Sequence, residues 1–391
     1  ASGHPIAVFG PQTGYFAPQL LMLQELSGPG IRARGASFAG LSMYVLLGRG
    51  VDYAWSATSS LQDITDTYAL TLCEPDGTTP TVDSDHYLHE GRCVPMETLR
   101  KTNSWKPTVA DPTPAGSYDL VIKRTRYGLV TWRGTVNGVP TAFTTLRSTY
   151  RHEADSAIGF QMFNDPGEMA TAADFIESAS HVSFAFNWFY VNATQAAYFM
   201  SGANPVRSPV SDPNLPMVAD TAHEWSGYDP ETNTADYHPP SAHPQAVDQD
   251  YLVSWNNKQA KDYGAADGNF SFGAVHRGDL LDRPIREALA NGGRLDRAET
   301  VRIVAEAAVV DLRGRRVLPD LLRVIDSAPV TDPALADAVA KLRAWERAGA
   351  KREETSPGSR RYAHADAIRI MDAWWPKLVG AQFRPGLGEG L

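Results

Sequence analysis

Hydrophobic and polar positions give the chain two textures. Up to about residue 160, short apolar runs alternate with turn residues, as strands do. Residues 5–9, 43–47 and 118–123 read as strands. Residues 131–140 read as a hairpin closed by Asn137-Gly138, a favoured two-residue turn. Residues 16–26 read as a short helix stopped by Ser27-Gly28-Pro29-Gly30. Residues 165–178 have helical spacing, with Met169, Ala172, Ala173 and Ile176 on one face. Residues 182–190 read as a buried strand interrupted by Asn187. Residues 204–249 are loaded with Pro, Asp, Asn and Ser. That stretch is too long for a simple link, so it is expected to wrap the body and carry function.

Beyond Arg277 the period changes. Residues 280–290, 297–312, 319–325, 333–348 and 363–378 each carry an amphipathic helical pattern, with a polar hinge at 351–361. The expected architecture is layered α+β, with a strand-rich core over 1–280 and a mainly helical region over 281–391.

Composition narrows the class. The 391 residues are 43% hydrophobic and 21% charged, with a net charge of −9. A chain this acidic repels a phosphate backbone, and the basic run Arg313-Gly314-Arg315-Arg316 reads as a solvated loop, so nucleic acid is not the expected partner. No apolar run approaches the ~20 residues of a membrane helix. The first residue is Ala rather than Met, which reads as a processed product or a trimmed piece. Cys73 and Cys93 stand 20 positions apart between loop-like flanks. They read as a disulfide, hence an oxidising compartment, the alternative being two unpaired thiols.

No nucleophile elbow, phosphate loop or dinucleotide fingerprint is present. What stands out is Tyr251-Leu252-Val253-Ser254-Trp255-Asn256-Asn257, a strand-like run ending in paired carboxamides, with Asp267 shortly after. Two further stretches precede it: Gly10-Pro11-Gln12-Thr13-Gly14-Tyr15-Phe16-Ala17-Pro18, and Trp55-Ser56-Ala57-Thr58-Ser59 followed by Asp63-Ile64-Thr65-Asp66. In this order and spacing the three closely resemble the β chain of the penicillin acylases, which are N-terminal nucleophile hydrolases. Weaker matching text extends the resemblance over nearly the whole chain, including Phe186-Asn187-Trp188, Asp212-Pro213-Asn214 and Met371-Asp372-Ala373-Trp374-Trp375.

The resemblance implies a four-layer αββα fold lacking its first strand, with helices appended after about residue 280. It implies an amidohydrolase whose nucleophile is an N-terminal Ser, its own α-amine serving as base. That Ser would lie roughly ten residues before Ala1, so this chain alone is expected to be inactive. Ser2 falls instead in a stretch that matches the family's first hairpin turn. By the same resemblance, the side-chain amide of Asn256 and the backbone N–H of Ser59 form the oxyanion hole. Gln12 contacts the nucleophile through its backbone, and Arg277 lies near the mouth of the site. Thr13, Leu47, Phe163 and Phe186 line an acyl pocket suited to hydrophobic groups. Asp63, Thr65, Asp66, Pro213 and Asp267 hold a structural Ca2+, hard oxygen ligands suiting that ion. Read without the resemblance, Asn256 could cap a turn, the aspartates could be solvated and the pocket residues could be plain core.

The implied substrates are amides with a hydrophobic acyl part: penicillins, acyl-homoserine lactones or lipopeptides. An α chain of the same precursor is the implied partner, and the periplasm or the extracellular space the implied location. The rival reading is a non-catalytic binding or scaffold protein that kept the fold.

Overall fold

In a computed structural model of the protein, residues 3–10, 13–14, 16–17, 19–40, 43–61, 64–261, 272 and 276–388 are described. The chain divides into two units, Ser2–Val275 and His276–Leu391.

The first unit contains two sheets. Its early strands are β1 (Leu21–Gly28), β2 (Ile31–Phe38), β3 (Leu47–Arg49), β4 (Tyr53–Ser59), β5 (Thr65–Cys73), β6 (His86–His89) and β7 (Arg92–Pro95). Then come β8 (Glu97–Trp105), β9 (Gly116–Thr125), β10 (Gly128–Val136) and β11 (Val139–Arg147). Helices α1 (Ala157–Asn164) and α2 (Ala172–Ser180) precede β12 (Phe186–Asn192), β13 (Ala196–Met200), β14 (Met217–Val218) and β15 (Gln245–Val247). The first sheet runs β1-β2-β3-β4-β12-β13-β15 and the second β7-β6-β5-β11-β10-β9-β8, with β14 added alongside β5. Every pairing is antiparallel except β14 with β5.

Period-two alternation sorts the first sheet into two faces. Trp55 and Ala57 of β4, Trp188 and Tyr190 of β12, and Ala197 and Phe199 of β13 are buried in one cluster with Phe163 of α1 and Phe175 of α2. Their alternates, Thr58, Asn187 and Tyr198, therefore project from the opposite face. Helix α2 begins with a capping box, in which the Thr171 hydroxyl accepts from the Asp174 N–H and the Asp174 carboxylate accepts from the Thr171 N–H. In the second sheet Tyr68, Leu70 and Leu72 of β5 form the buried face together with Tyr127 and Leu146.

Several sequence expectations give way to long-range pairing. Residues 21–28 form a strand rather than a helix, because the turn at Pro29-Gly30 pairs Gly28 with Ile31 and zips the whole run against β2. Leu, Met, Gln and Glu favour helices, but that preference is weak against a full ladder. Residues 43–47 are not one strand: the Asn164 side chain accepts from Val45 N–H and donates to Val45 C=O, at 3.0 and 2.8 Å, and the ladder starts only at Leu47. Residues 5–9 form no strand, and Ile6, Val8 and Phe9 are exposed. Helix α1 lies outside the helices expected from the sequence.

The Asn137-Gly138 hairpin is as read, with both residues at positive φ and Val136 opposite Val139. Cys73 and Cys93 are joined in a disulfide. The long connector visits both sheets, through β14 on β5 and β15 on β13.

The second unit contains α3 (His276–Leu289), α4 (Arg297–Val309), α5 (Leu312–Arg316), α6 (Leu318–Ile325), α7 (Pro333–Arg347) and α8 (Ala365–Leu387). Leu318, Leu322, Leu342, Trp345, Ile368 and Met371 form its core. Residues 351–361 form no helix; isolated bridges join Lys351 to Val310 and Glu354 to Tyr362, and Arg352 Nε donates to Asp311 Oδ2 at 2.9 Å. No helix among the described residues is long and apolar enough to cross a membrane.

Candidate active site

Asn256 and Ser59 meet although 197 residues separate them: the Asn256 side-chain Nδ2 donates to the Ser59 carbonyl at 2.8 Å. Ser59 is the last residue of β4, and its side chain is exposed. Asn256 is half-buried in a loop, not the strand that the run before it suggested, and it adopts φ +65°. Asn tolerates this left-handed conformation better than most residues. Its neighbour Asn257 serves the turn, accepting from Trp255 N–H at 3.3 Å and donating to Lys258 C=O at 3.0 Å. Gln259 anchors the same loop by donating to Ser60 C=O at 2.6 Å.

Sequence reasoning missed the residues that surround this pair. Asn187 of β12 lies directly opposite Thr58 and is 2% exposed. Its Nδ2 donates to Thr58 Oγ1 and to Ser59 C=O, both at 3.3 Å, while the Tyr198 hydroxyl donates to its Oδ1 at 2.8 Å. Thr58 Oγ1 and Ser254 Oγ share a hydrogen bond of 2.7 Å. The signal for Asn187 was there: a polar side chain inside an otherwise apolar buried run has to find partners.

The other expected site residues are distributed as follows. Leu47 and Phe186 pack partly buried against the helix-facing core, and Phe163 is wholly inside it, 4.8 Å ring to ring from Trp188. Thr13 is exposed. Arg277 is exposed in the first turn of α3, in the second unit. Gln12, Asp63 and Asp267, like Ser2, lie outside the described residues.

Asp66 is the one carboxylate of the expected Ca2+ set that is described. It is completely buried on the core face of β5, and Arg207 Nε donates to its Oδ1 and Oδ2 at 3.1 and 2.8 Å. Trp225 Nε1 also donates to Oδ2, at 2.5 Å. Arg207 and Trp225 come from the long connector. Burial first, and then the Asp66 charge, push the Tyr68 phenol far above its usual pKa, so it stays neutral and donates to His223 C=O at 2.9 Å. Thr65 opens β5. Pro213 lies in a turn four residues before Met217, which pairs in parallel with Tyr68 of β5. Both Asp66 oxygens accept from Arg207 and Oδ2 also from Trp225; carboxylate and carbonyl oxygens of the expected set are the donor type that suits Ca2+. Among the described residues no three potential metal-ligating side chains come together.

Two largely antiparallel sheets, one backed by helices, with a carboxamide held at the end of a central strand, define an α+β protein. A structure titled thermostable penicillin G acylase, from Alcaligenes faecalis, superposes with a TM-score of 0.73 at 22% identity over 97% of this chain and 62% of that one. The penicillin G acylase of Escherichia coli is 26% identical over 334 residues, which is 84% of this chain and 35% of that protein. The sequence model of the penicillin amidase family matches residues 1–390. The chain belongs to the penicillin amidase family. It spans about a third of the length of its Escherichia coli relative.

Proposed function

We propose that this chain is the β-chain part of an amidohydrolase that cleaves amides with a hydrophobic acyl group, of the β-lactam, acyl-homoserine lactone or lipopeptide type. The observation that carries the reading is the 2.8 Å bond from the Asn256 amide to the Ser59 carbonyl, which puts the two expected oxyanion-hole residues side by side. An amide nitrogen has two N–H groups in one plane. In this reading the amide held at Ser59 is the group that donates to the substrate oxygen as that oxygen turns negative. Such a donor strengthens chiefly in the transition state, because it adds no charge and meets little charge on the neutral carbonyl. In this reading the attacking group is an N-terminal Ser. Attack gives an acyl-enzyme, and water then releases the acid.

In the same reading the fold is the four-layer αββα sandwich, an α chain of the same precursor completes the enzyme, and the mature protein works in the periplasm or outside the cell. The disulfide is in keeping with an oxidising compartment. Ca2+ would be held by Asp63, Asp66 and Asp267 with the carbonyls of Thr65 and Pro213. It would contribute structural charge compensation rather than chemistry.

The test is substitution in the full-length enzyme, assayed on a chromogenic acyl anilide. Asn256→Ala should cut kcat by roughly 10²–10³ with KM nearly unchanged. Asn257→Ala should lower thermal stability and affect rate less, since its amide is spent on the turn. Wild-type kcat in Asn256→Ala would rule out the oxyanion role, whereas absence of turnover in the full-length parent would favour a non-catalytic binding protein.

A further inference from the structure

We infer that Asn187, held by Tyr198, is a positioning residue for the Asn256–Ser59 pair, an inference that rests on the oxyanion reading above. Asn187 is nearly inaccessible and projects from the face of the sheet opposite Trp188. Its amide has only one workable orientation. The Ser59 carbonyl is purely an acceptor, so the side of Asn187 that faces it must be the NH2. Oδ1 is thereby turned to the Tyr198 hydroxyl, which donates to it at 2.8 Å.

Two connections run from this fixed amide to the carboxamide loop. One passes through Ser59, whose carbonyl accepts from both Asn187 Nδ2 at 3.3 Å and Asn256 Nδ2 at 2.8 Å. Two donors match the two lone pairs of a carbonyl oxygen. The other passes through Thr58, whose hydroxyl accepts from Asn187 Nδ2 and shares a bond with Ser254, two residues before Asn256. Tyr198 and Asn187 sit on regular strands, whereas Asn256 sits on a loop. The rigid sheet therefore sets the direction of the loop amide, and an oxyanion donor depends steeply on direction.

Asn187 touches neither the nucleophile nor the substrate in this account. Its effect is exerted through Ser59 and Thr58. A residue that merely stabilised the sheet would lower the melting temperature and leave the rate of the folded enzyme alone. A positioning residue lowers kcat, and its effect disappears once the amide it positions has been removed.

The experiment is a double-mutant cycle in the full-length enzyme, with Tyr198→Phe and Asn187→Asp each made alone and combined with Asn256→Ala. Tyr198→Phe deletes the hydroxyl that orients Asn187. Asn187→Asp keeps the shape but turns an acceptor toward the Ser59 carbonyl. Each single variant should lose roughly 10-fold or more in kcat, with KM within about twofold. Added to Asn256→Ala, neither should cost much further, because residues acting as one unit are not additive. Full additivity, or a loss confined to KM or to melting temperature, would overturn the positioning role while leaving the oxyanion reading intact. Wild-type kcat in Asn256→Ala would remove both together. Should Asn187→Asp fail to fold, Tyr198→Phe decides alone.

Discussion

Arg207 Nε lies 2.8 Å from Oδ2 of Asp66, 141 residues away in sequence, and this pair fastens the long connector to the core face of β5. Asp66 is wholly buried and Arg207 nearly so, with side-chain exposures of 0% and 14%. Removing one partner strands a charge out of water. Arg207→Leu should therefore destabilise the protein by about 3–5 kcal/mol, and Asp66→Asn on top of it should recover part of the loss. Urea denaturation of the two variants measures both values. A loss below about 1 kcal/mol would mean that water reaches the pair.

The proposed Ca2+ site is tested at the same end of β5. A chelator should lower the melting temperature and added Ca2+ should restore it, as expected for an ion bound only by the folded state. The Asp267→Ala protein should not respond to either. An unchanged melting temperature in the parent protein would show that Arg207 alone compensates Asp66.

Closing the excursion between Cys73 and Cys93 restricts the unfolded chain. The unreduced protein should be lighter than its all-thiol mass by the two thiol hydrogens. Replacing both cysteines with Ser should cost roughly 3 kcal/mol. Two thiols that react with iodoacetamide in the native protein would contradict the bridge.

Acid should loosen the second unit through Asp311. Burial by itself raises its pKa, but hydrogen bonds from Arg313 and Arg352 and the Gly314 N–H outweigh that and hold it at about 2, against an ordinary 3.8. A depressed carboxylate stabilises the folded state above its unfolded pKa, so this contribution is complete above about pH 4 and is lost as pH falls toward 2. Asp311→Asn should be less stable at neutral pH and lose less stability on going from pH 4 to pH 2. Parallel stability–pH curves for parent and variant would show that Asp311 is not the titrating group.

The sequence disclosed elements where local signals and tertiary packing agree. The Asn137-Gly138 hairpin was legible because its turn chemistry admits little else, and the last-third helices because their apolar faces recur at helical spacing. The strand at 21–28 was not, since its residues are good helix formers and only its partner at 31–38 overrides them. Asn256 and Ser59 could be picked out through a resemblance in ordered motifs. Asn187 stood out as a polar residue in an apolar run, but its partners could not be named, because Asn187, Tyr198 and Thr58 meet through strand registers that no local window contains. Likewise nothing near Asp66 announces that its counter-charge arrives from Arg207.

The left-handed backbone at Asn256 has a consequence for how such a protein can drift. A φ of +65° is comfortable for Gly, Asn and Asp and strained for nearly everything else. Of these three only Asn also brings an N–H to the site. Substitution by Gly or Asp would therefore preserve the loop while removing the side-chain N–H on which the proposed oxyanion role depends. If Asn256 has the role proposed above, a change of this one residue would separate an active member from an inert one of the same shape, and position 256 is the place to look when telling the two apart.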